Sequence, residues 1–220
     1  MSIAVYKQRR RVVISIYDAK LLYRVVELLR SFGLVFQGLY PGVDACNRGI
    51  LIADKEGLEY AQQVCKDIRM NILRLDSSTI ERIVFKAVVL SMLENDKIHT
   101  LVAGIDYGKS IGVALLADGT IVYVGKFRLE DEALNMLSQF FKSVEAAKKI
   151  VRVGIPSTII SKSFESFIEK LNLAMPSDAV IELVPEVRSN KPSIILFDDR
   201  ISDEDISAAL NIALRSGSNT

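Results

Sequence analysis

Short aliphatic and β-branched runs alternate with helical patterns along the first 96 residues. Arg11–Ile16 predicts the first strand, and the apolar positions from Leu21 to Phe32 recur at the spacing of one helix face. Asp18 predicts the N-cap of that helix, and Gly33 predicts its end. Further strands are predicted at 35–39, 49–54 and 71–75, and further helices at 57–68 and 80–93. Strands that alternate with helices favour a small, mostly parallel α/β domain.

The polar connector Glu94–His99 marks a change of pattern. Three strands follow at 101–105, 111–116 and 121–127, and their short connections require antiparallel pairing. Asp118–Gly119 is the hairpin signal between the second and third. Helices at 130–149, 159–171 and 202–215 then alternate with strands at 151–155 and 179–184. The sequence therefore predicts two α/β domains, 1–96 and 97–220, the second a mixed sheet with the order β-β-β-α-β-α-β-α.

The residue counts exclude several kinds of site. Two cysteines, Cys46 and Cys65, cannot supply a four-ligand zinc site, and we expect them to be reduced thiols of a cytoplasmic protein. The single histidine, His99, lies in the polar connector, where we interpret it as a solvated residue rather than a catalytic base. The first eleven residues lack the apolar core of a signal peptide. The longest apolar helical stretch, 83–93, is too short to span a bilayer, so no membrane partner is expected.

The segment Gly104–Ala114, GIDYGKSIGVA, carries the sharpest functional pattern. A buried strand brings Asp106 to its end, Gly108 permits a tight turn, and Gly112 allows another backbone or a phosphate to approach closely. The segment resembles the first strand and hairpin of the ribonuclease H-like superfamily. The resemblance is strongest to the YqgF-like and RuvC-like Holliday-junction resolvase branch, in which a G-[IL]-D-x-G start is followed by a G-x-A strand.

Three later segments extend this resemblance. Val153–Pro156, VGIP, resembles the end of the fourth strand in the YqgF-like group. Ile181–Asn190, IELVPEVRSN, resembles the end of the fifth strand, where the family's glutamate falls on Glu186. Asp205–Leu214 resembles the last helix, where the family's third acid falls on Asp205. The resemblance covers roughly residues 101–216, about half of the chain.

The resemblance implies a metal-dependent nuclease that acts on branched or structured nucleic acid, either DNA or RNA. It implies that Asp106, Glu186 and Asp205 are both the catalytic residues and the ligands of Mg²⁺ or Mn²⁺. The loop residues assigned to substrate binding are Gly108, Lys109 and Ser110. Carboxylate oxygens suit these hard cations, which neutralise charge on the attacking and leaving oxygens of a phosphodiester. Cleavage of a two-fold junction would imply a homodimer.

Departures from the family pattern support two alternatives. The first loop is one residue shorter than D-Y-G-x-K-R-[IL]-G and lacks its arginine, and the D-E-R triplet is replaced by Pro185-Glu186-Val187. A non-catalytic member of the same fold, acting as a nucleic-acid-binding or scaffold protein, accommodates these changes. The start Gly104–Gly108 also resembles the first phosphate loop of the actin and sugar-kinase superfamily, although residues 1–96 contain no second G-x-D-x-G.

Each acid also has a purely structural interpretation. Asp106 can begin the turn before Gly108, and Glu186 can be an exposed residue at a strand end. Asp205 falls at the fourth position of a capping box that begins at Ser202, where the helix dipole favours a carboxylate.

Charge is divided unevenly along the chain. Residues 1–98 carry 15 basic and 11 acidic side chains, a balance of +4, whereas residues 99–220 carry 13 and 16, a balance of −3. The basic cluster of the first domain comprises Lys7, Arg9, Arg10 and Arg11. This cluster has two interpretations: the first domain recruits an anionic substrate, or the cluster is a solvated edge strand whose charge opposes aggregation.

Overall fold

The computed structural model describes residues 8–39, 46–65, 67–155, 161–185 and 203–215. The chain separates into two compact units between Lys97 and Ile98. Each unit is built on its own β-sheet with helices, so the predicted α/β class is confirmed. No helix of the described segments is long and apolar enough to cross a membrane. Glu186 lies outside the described residues.

The first unit contains a parallel four-stranded sheet with the strand order β2-β1-β3-β4. Its elements are β1 (Val12–Ser15), α1 (Ala19–Ser31), β2 (Phe36–Gly38), β3 (Asn47–Ala53), α2 (Lys55–Val64), β4 (Arg69–Arg74) and α3 (Ile80–Met92). The mostly parallel sheet predicted from the alternating pattern is thereby confirmed. β1 is a central strand of this sheet, so the interpretation of Arg9–Arg11 as part of a basic edge strand is wrong.

Local capping explains where two of these helices begin. The Asp18 carboxylate accepts hydrogen bonds from the backbone N–H groups of Lys20 and Leu21 at the start of α1, as predicted. The sequence Ser78-Thr79-Ile80-Glu81 predicts a capping box at the start of α3, but the box is not formed, because Thr79 is the N-cap and makes no side-chain capping bond. Ser78 instead donates both its backbone N–H and its hydroxyl to Asp76, at 2.8 and 2.6 Å. This turn-type bonding competes with a helix cap.

Cys46 and Cys65 form a disulfide, so the expectation of two reduced thiols is wrong. Cys46 immediately precedes β3 and Cys65 is the C-cap of α2. A helix that follows a strand in a parallel sheet runs back along it, which returns the end of α2 to the start of β3. The topology therefore brings together two cysteines that are 19 positions apart in sequence.

Main chain fills part of the carboxyl edge of the first sheet. Open α/β sheets commonly bind ligands at this edge, where the strand order reverses. Here the buried Asp54 carboxylate accepts backbone N–H groups of Tyr17, Asp18 and Gly57 at 2.8–2.9 Å. A Cβ atom on Gly57 would lie 1.7 Å from the carbonyl oxygen of Ser15. Main chain therefore packs around Asp54 at Gly57, whereas a pocket of about 260 Å³ beside Asp54 stays open, with Lys55, Leu58, Glu59, Gln62, Arg74 and Leu75 in its lining.

The second unit contains a mixed five-stranded sheet with the order β7-β6-β5-β8-β9. Its elements are β5 (Ile98–Tyr107), β6 (Ile111–Ala117), β7 (Thr120–Phe127), α4 (Glu130–Ser143), β8 (Ala146–Ile155), α5 (Lys162–Ala174), β9 (Ala179–Pro185) and α6 (Glu204–Leu214). β5, β6 and β7 pair antiparallel, whereas β8 pairs parallel with both β5 and β9. The predicted order of a three-stranded meander followed by crossover units is confirmed.

The predicted helix 130–149 is too long. α4 ends at Ser143, and Ala146–Lys149 already belongs to β8. Thr100 and Leu101 of β5 pair with Lys148 and Lys149 in the sheet. Pairing with a neighbouring strand thus overrides the helical pattern of this segment, a tertiary effect that local periodicity does not contain.

The hairpin between β6 and β7 begins where the sequence predicted. Asp118 and Gly119 both adopt positive φ, at 46° and 76°, which matches the two-residue turn that such dipeptides favour. The Asp118 carboxylate also accepts the backbone N–H groups of His99 and Thr100. His99 is exposed, as expected, but it lies within β5 rather than in a connector.

Alternation along β5 assigns its side chains to two faces of the sheet. Tyr107 lies on the face covered by α4 and α5: its ring stacks on Phe167 at 4.5 Å and its hydroxyl donates to Glu130 at 2.7 Å. Gly104 lies on the opposite face, where a Cβ atom would be 2.0 Å from the carbonyl oxygen of Ala209 in α6. Asp106, two positions after Gly104, therefore belongs to the α6 face.

Candidate functional site

Three residues form a lateral row across the end of the second sheet. Asp106 of β5 pairs with Gly112 of β6, and Gly112 pairs with Lys126 of β7. Directly paired residues of antiparallel strands project to the same face of a sheet. Asp106, Gly112 and Lys126 therefore share the α6 face. The acidic Asp106 lies on one side of the glycine and the basic Lys126 lies on the other.

Gly112 allows the first turn of α6 to rest on this row. A Cβ atom on Gly112 would lie 2.1 Å from the backbone oxygen of Asp205. Any larger residue would therefore push the beginning of α6 away from β6. The sequence predicted that either another backbone or a phosphate approaches Gly112 closely. In the structure it is a backbone, that of Asp205. Asp205 consequently lies over the row, between Asp106 and Lys126.

The Asp205 carboxylate is held by two side chains from neighbouring strands. Ser110 donates its hydroxyl to Oδ2 of Asp205 at 2.5 Å, and Nζ of Lys126 lies 2.8 Å from the same oxygen. Lys126 also contacts Oδ2 of Asp203 at 3.0 Å. One lysine thus bridges two carboxylates at the start of α6.

These contacts keep both partners of the ion pair charged. Burial alone would raise the pKa of Asp205, but hydrogen bonds from Lys126 and Ser110 lower it below its usual value. The bond to Asp205, followed by the bond to Asp203, raises the pKa of Lys126. The pair is therefore ionised across the whole neutral pH range.

The cap of α6 differs from the predicted capping box. Asp203 is the N-cap, and its carboxylate accepts the backbone N–H groups of Asp205 and Ile206 at 3.0 and 3.4 Å. Asp205 is therefore the second residue of the helix, not the fourth position of a capping box, and Ser202 itself lies outside the described residues. Because Asp203 satisfies the helix end, the Asp205 carboxylate is available to Ser110 and Lys126.

The predicted site residues fall into three groups. Asp106 and Asp205 meet at one edge and one face of the sheet, and Ser110 joins them by its bond to Asp205. Gly108 and Lys109 lie in the exposed turn between β5 and β6. Glu186, as stated above, lies outside the described residues.

Lys126 is a site residue that sequence reasoning missed. A two-residue hairpin at Asp118–Gly119 without irregularity would place Gly125, rather than Lys126, opposite Gly112. The register shifts by one residue between Leu115 and Leu116, where β6 and β7 form an irregularity. A shift of one position moves a side chain to the other face of a sheet, and it brings Lys126 to the α6 face.

The donor atoms at this edge suit a hard divalent cation. Asp106, Asp203 and Asp205 present carboxylate oxygens, and Ser110 presents a hydroxyl. Mg²⁺ and Mn²⁺ prefer oxygen ligands of this type. Asp106, Asp203 and Asp205 carry three negative charges and Lys126 carries one positive charge, which leaves −2 among these four side chains. Across the described segments, no group of three or more histidine, cysteine, aspartate or glutamate side chains is placed to hold a metal ion. Asp106 and Asp205 are two of the three predicted ligands.

The titration of Asp205 tests the ion pair with Lys126. A pKa that is lowered on folding, from the ordinary 3.8, means that the pair stabilises the fold above about pH 4 and ceases to do so as the pH falls through the lowered pKa. We expect Lys126→Met to move the Asp205 midpoint, measured by carboxyl ¹³C NMR, to higher pH. Lys142→Met, an exposed change on α4, is the control and leaves the midpoint unchanged. Equal midpoints in the Lys126 variant and the native protein would contradict the described pairing.

Comparisons with known proteins assign no family to this chain. No protein-family model matches it, and no curated protein matches it. Among solved structures, it is similar to a Bacteroides thetaiotaomicron protein described as having an actin-like ATPase fold and unknown function. The TM-score is 0.26 at 10% identity, over 58% of this chain and 46% of that protein, so the chain spans less than half of its length. Similarity at this level assigns neither fold nor function.

Proposed function

We propose that the second unit is a ribonuclease H-like nuclease domain that hydrolyses phosphodiester bonds in structured or branched nucleic acid with Mg²⁺ or Mn²⁺. The observation that carries this proposal is the placement of Asp106 and Asp205 on one face of one sheet edge, with the Asp205 backbone over Gly112. Like-charged carboxylates that converge repel each other unless a cation compensates them. The order of strands and helices in this unit supports the same proposal.

Each residue of the cluster has a role under this proposal. The carboxylates of Asp106 and Asp205, with Glu186 as the third predicted ligand, would hold the cation. The bound cation would supply charge neutralisation at the phosphodiester oxygens. Ser110 orients the Asp205 carboxylate through its hydroxyl. Lys126, which contacts both Asp205 and Asp203, would compete with the cation for Asp205 and would keep its contact with Asp203.

A second candidate function rests on the ion pair itself. Lys126 compensates the charge of Asp205 without any metal ion, as expected in a domain whose acids have become structural. Under this alternative the chain is a non-catalytic nucleic-acid-binding or scaffold protein of the same fold.

A cleavage assay separates the two candidates. Labelled four-way DNA junctions and hairpin RNA are incubated with the full chain and Mn²⁺, and cutting is compared with that of Asp106→Asn. We expect cleavage by the native protein and a loss of about 10³-fold in the variant, because a catalytic metal supplies several kcal/mol and 1.4 kcal/mol is tenfold. Asp131→Asn, an exposed change on α4 with the same loss of charge, is the control and cleaves normally.

The remaining outcomes have distinct meanings. Binding of these nucleic acids without cleavage, unchanged in Asp106→Asn, would reject the nuclease and support the non-catalytic candidate. If neither substrate is bound or cut, the nuclease and the nucleic-acid-binding candidate are both rejected, and only a protein scaffold is left.

The proposal also includes a homodimeric state and a cytoplasmic location. Cleavage of a two-fold junction needs two sites, so we propose that a homodimer forms on the substrate. We retain the cytoplasm as the proposed location. The Cys46–Cys65 bond fits either an oxidising compartment or the cytoplasm of a hyperthermophile, so a cytoplasmic location requires the second.

A further inference from the structure

A cleft rich in arginine opens at the amino edge of the first sheet. It has a volume of about 1140 Å³, and we call it the arginine cleft. Its charged lining residues are Arg9, Arg10, Arg11, Arg48, Arg69 and Glu94. Arg11 immediately precedes β1, Arg48 is the second residue of β3 and Arg69 begins β4. Because these strands are parallel, their amino ends meet at one edge, and residues distant in sequence converge there.

Main-chain contacts hold two of the guanidinium groups in place. Arg11 donates Nε to the carbonyl of Arg48 at 3.1 Å and Nη2 to the carbonyl of Asn47 at 2.5 Å. Arg10 donates Nη2 to the carbonyl of Gly49 at 2.9 Å. Ordering these side chains on folding lowers the entropy that a later binding event would cost.

An irregularity in β3 presents Arg48 at the cleft. The register between β3 and β4 shifts between Asn47 and Ile50, and Arg48 has a φ of 52°. Positive φ is unfavourable for an arginine, and residues held in this way concentrate at functional sites. Arg48 is exposed, and within the described residues it forms no ion pair.

Positive charge exceeds negative charge around the cleft. Glu94 pairs with Arg9 at 2.8 Å, Asp96 with Arg10 at 2.5 Å and Asp67 with Arg69 at 2.6 Å. Within the described part of the chain, five lining arginines against these three carboxylates leave a balance of +2. Two of these pairs, those of Arg9 and Arg69, are well exposed, so water and salt weaken them and an incoming anion can replace the carboxylate.

We propose that the arginine cleft binds the phosphate backbone of double-stranded nucleic acid without regard to sequence. Every positively charged lining residue is an arginine, whose planar guanidinium binds phosphate oxygens in pairs. The remaining lining residues are Gln8, Asn47, Gly49 and Asn95. Among the described lining residues there is no aromatic ring for base stacking and no aliphatic side chain for insertion into lipid, so this part of the lining favours a duplex backbone over a single strand or a membrane.

This inference shares its nucleic-acid partner with the proposed function, but it is independent of cleavage. It holds equally if the second unit is not catalytic, and its test measures binding alone.

The test uses a fluorescein-labelled 20-base-pair DNA duplex, with anisotropy measured from 50 to 200 mM KCl. The variant is Arg48→Asn with Arg69→Gln, in the full chain. Asparagine tolerates positive φ, so the first change removes charge without disturbing β3. We expect the slope of log K against log salt to fall by about 1.8 and affinity to fall roughly tenfold or more at 100 mM, since each phosphate contact contributes about 0.9.

The matched control removes the same charge elsewhere on this unit. Arg24→Gln with Arg30→Gln changes two exposed residues of α1, and we expect duplex binding close to native. The proposal is overturned if both double variants weaken binding equally, or if the cleft variant binds as the native protein does. Sedimentation with phosphatidylserine vesicles in place of the duplex would also overturn it if only the vesicles bind. Duplex binding is measured without divalent cations, so its outcome is separate from that of the nuclease test.

Discussion

Gly112→Ala is expected to destabilise the second unit by about 1–3 kcal/mol, the usual cost of an additional methyl group in a close-packed interior. The new Cβ atom would lie 2.1 Å from the Asp205 backbone oxygen, so α6 must move away from β6. That movement also separates Asp205 from Ser110 and Lys126. Chemical denaturation measures the first effect, and the ¹³C titration of Asp205 reports the second as a rise in pKa.

Gly108→Ala provides the control for this substitution. Its Cβ atom would lie 3.6 Å from the nearest atom, the carbonyl oxygen of Ser110, which is an ordinary contact. We therefore expect a change in stability below about 0.5 kcal/mol, as for most surface substitutions. Equal stability of the Gly112 and Gly108 variants would mean that α6 does not rest on Gly112, and the geometry of the site would be wrong.

Removing the Cys46–Cys65 disulfide is expected to destabilise the first unit by about 3 kcal/mol, from the entropy of closing a loop of about 19 residues in the unfolded chain. The double variant Cys46→Ser, Cys65→Ser avoids an unpaired thiol. Its unfolding midpoint should match that of the reduced native protein and lie well below that of the oxidised protein.

A thiol count supplies the control. The native protein, denatured without reductant, is expected to expose no reactive thiol, and after reduction it should expose two. Two thiols before reduction, together with equal midpoints with and without reductant, would contradict the disulfide and restore the original expectation of free cysteines.

The features that were predicted correctly from the sequence are those that neighbouring residues determine. Asp18 caps α1, Gly33 follows the same helix with a φ of 67°, and Asp118–Gly119 forms the hairpin turn. Alternation of strand and helix patterns gave the α/β class and the order of elements, since each pattern is set by which side chains are buried. Gly112 was recognised because a close approach to a strand requires a residue without a side chain.

The features that sequence did not predict depend on contacts between distant segments. Lys126 lies at the site only because the register of β6 and β7 shifts near Leu115. No local sequence pattern predicts that shift. The disulfide follows from the return of α2 to the start of β3, and α4 is shortened because β8 pairs with β5. In each case, pairing between segments overrides the preference of the local sequence.

Some features of the candidate site were predicted from the local sequence, and others depend on contacts between distant segments. Asp106 was predicted to be a site residue because it ends a buried strand and is followed by glycines. It lies at the same sheet edge as Asp205 of α6. The sequence did not indicate that a lysine would hold Asp205 or that Asp203 would cap the helix. These two contacts decide whether the acids bind a cation or only stabilise the fold.

A crystal of the full chain soaked in Mn²⁺ tests the central claim directly, because the anomalous signal of manganese locates the ion. We expect a peak within coordination distance of carboxylate oxygens of both Asp106 and Asp205, with the Lys126 ammonium displaced from Asp205. A map without a peak there, in which Lys126 still bridges Asp203 and Asp205, would contradict it.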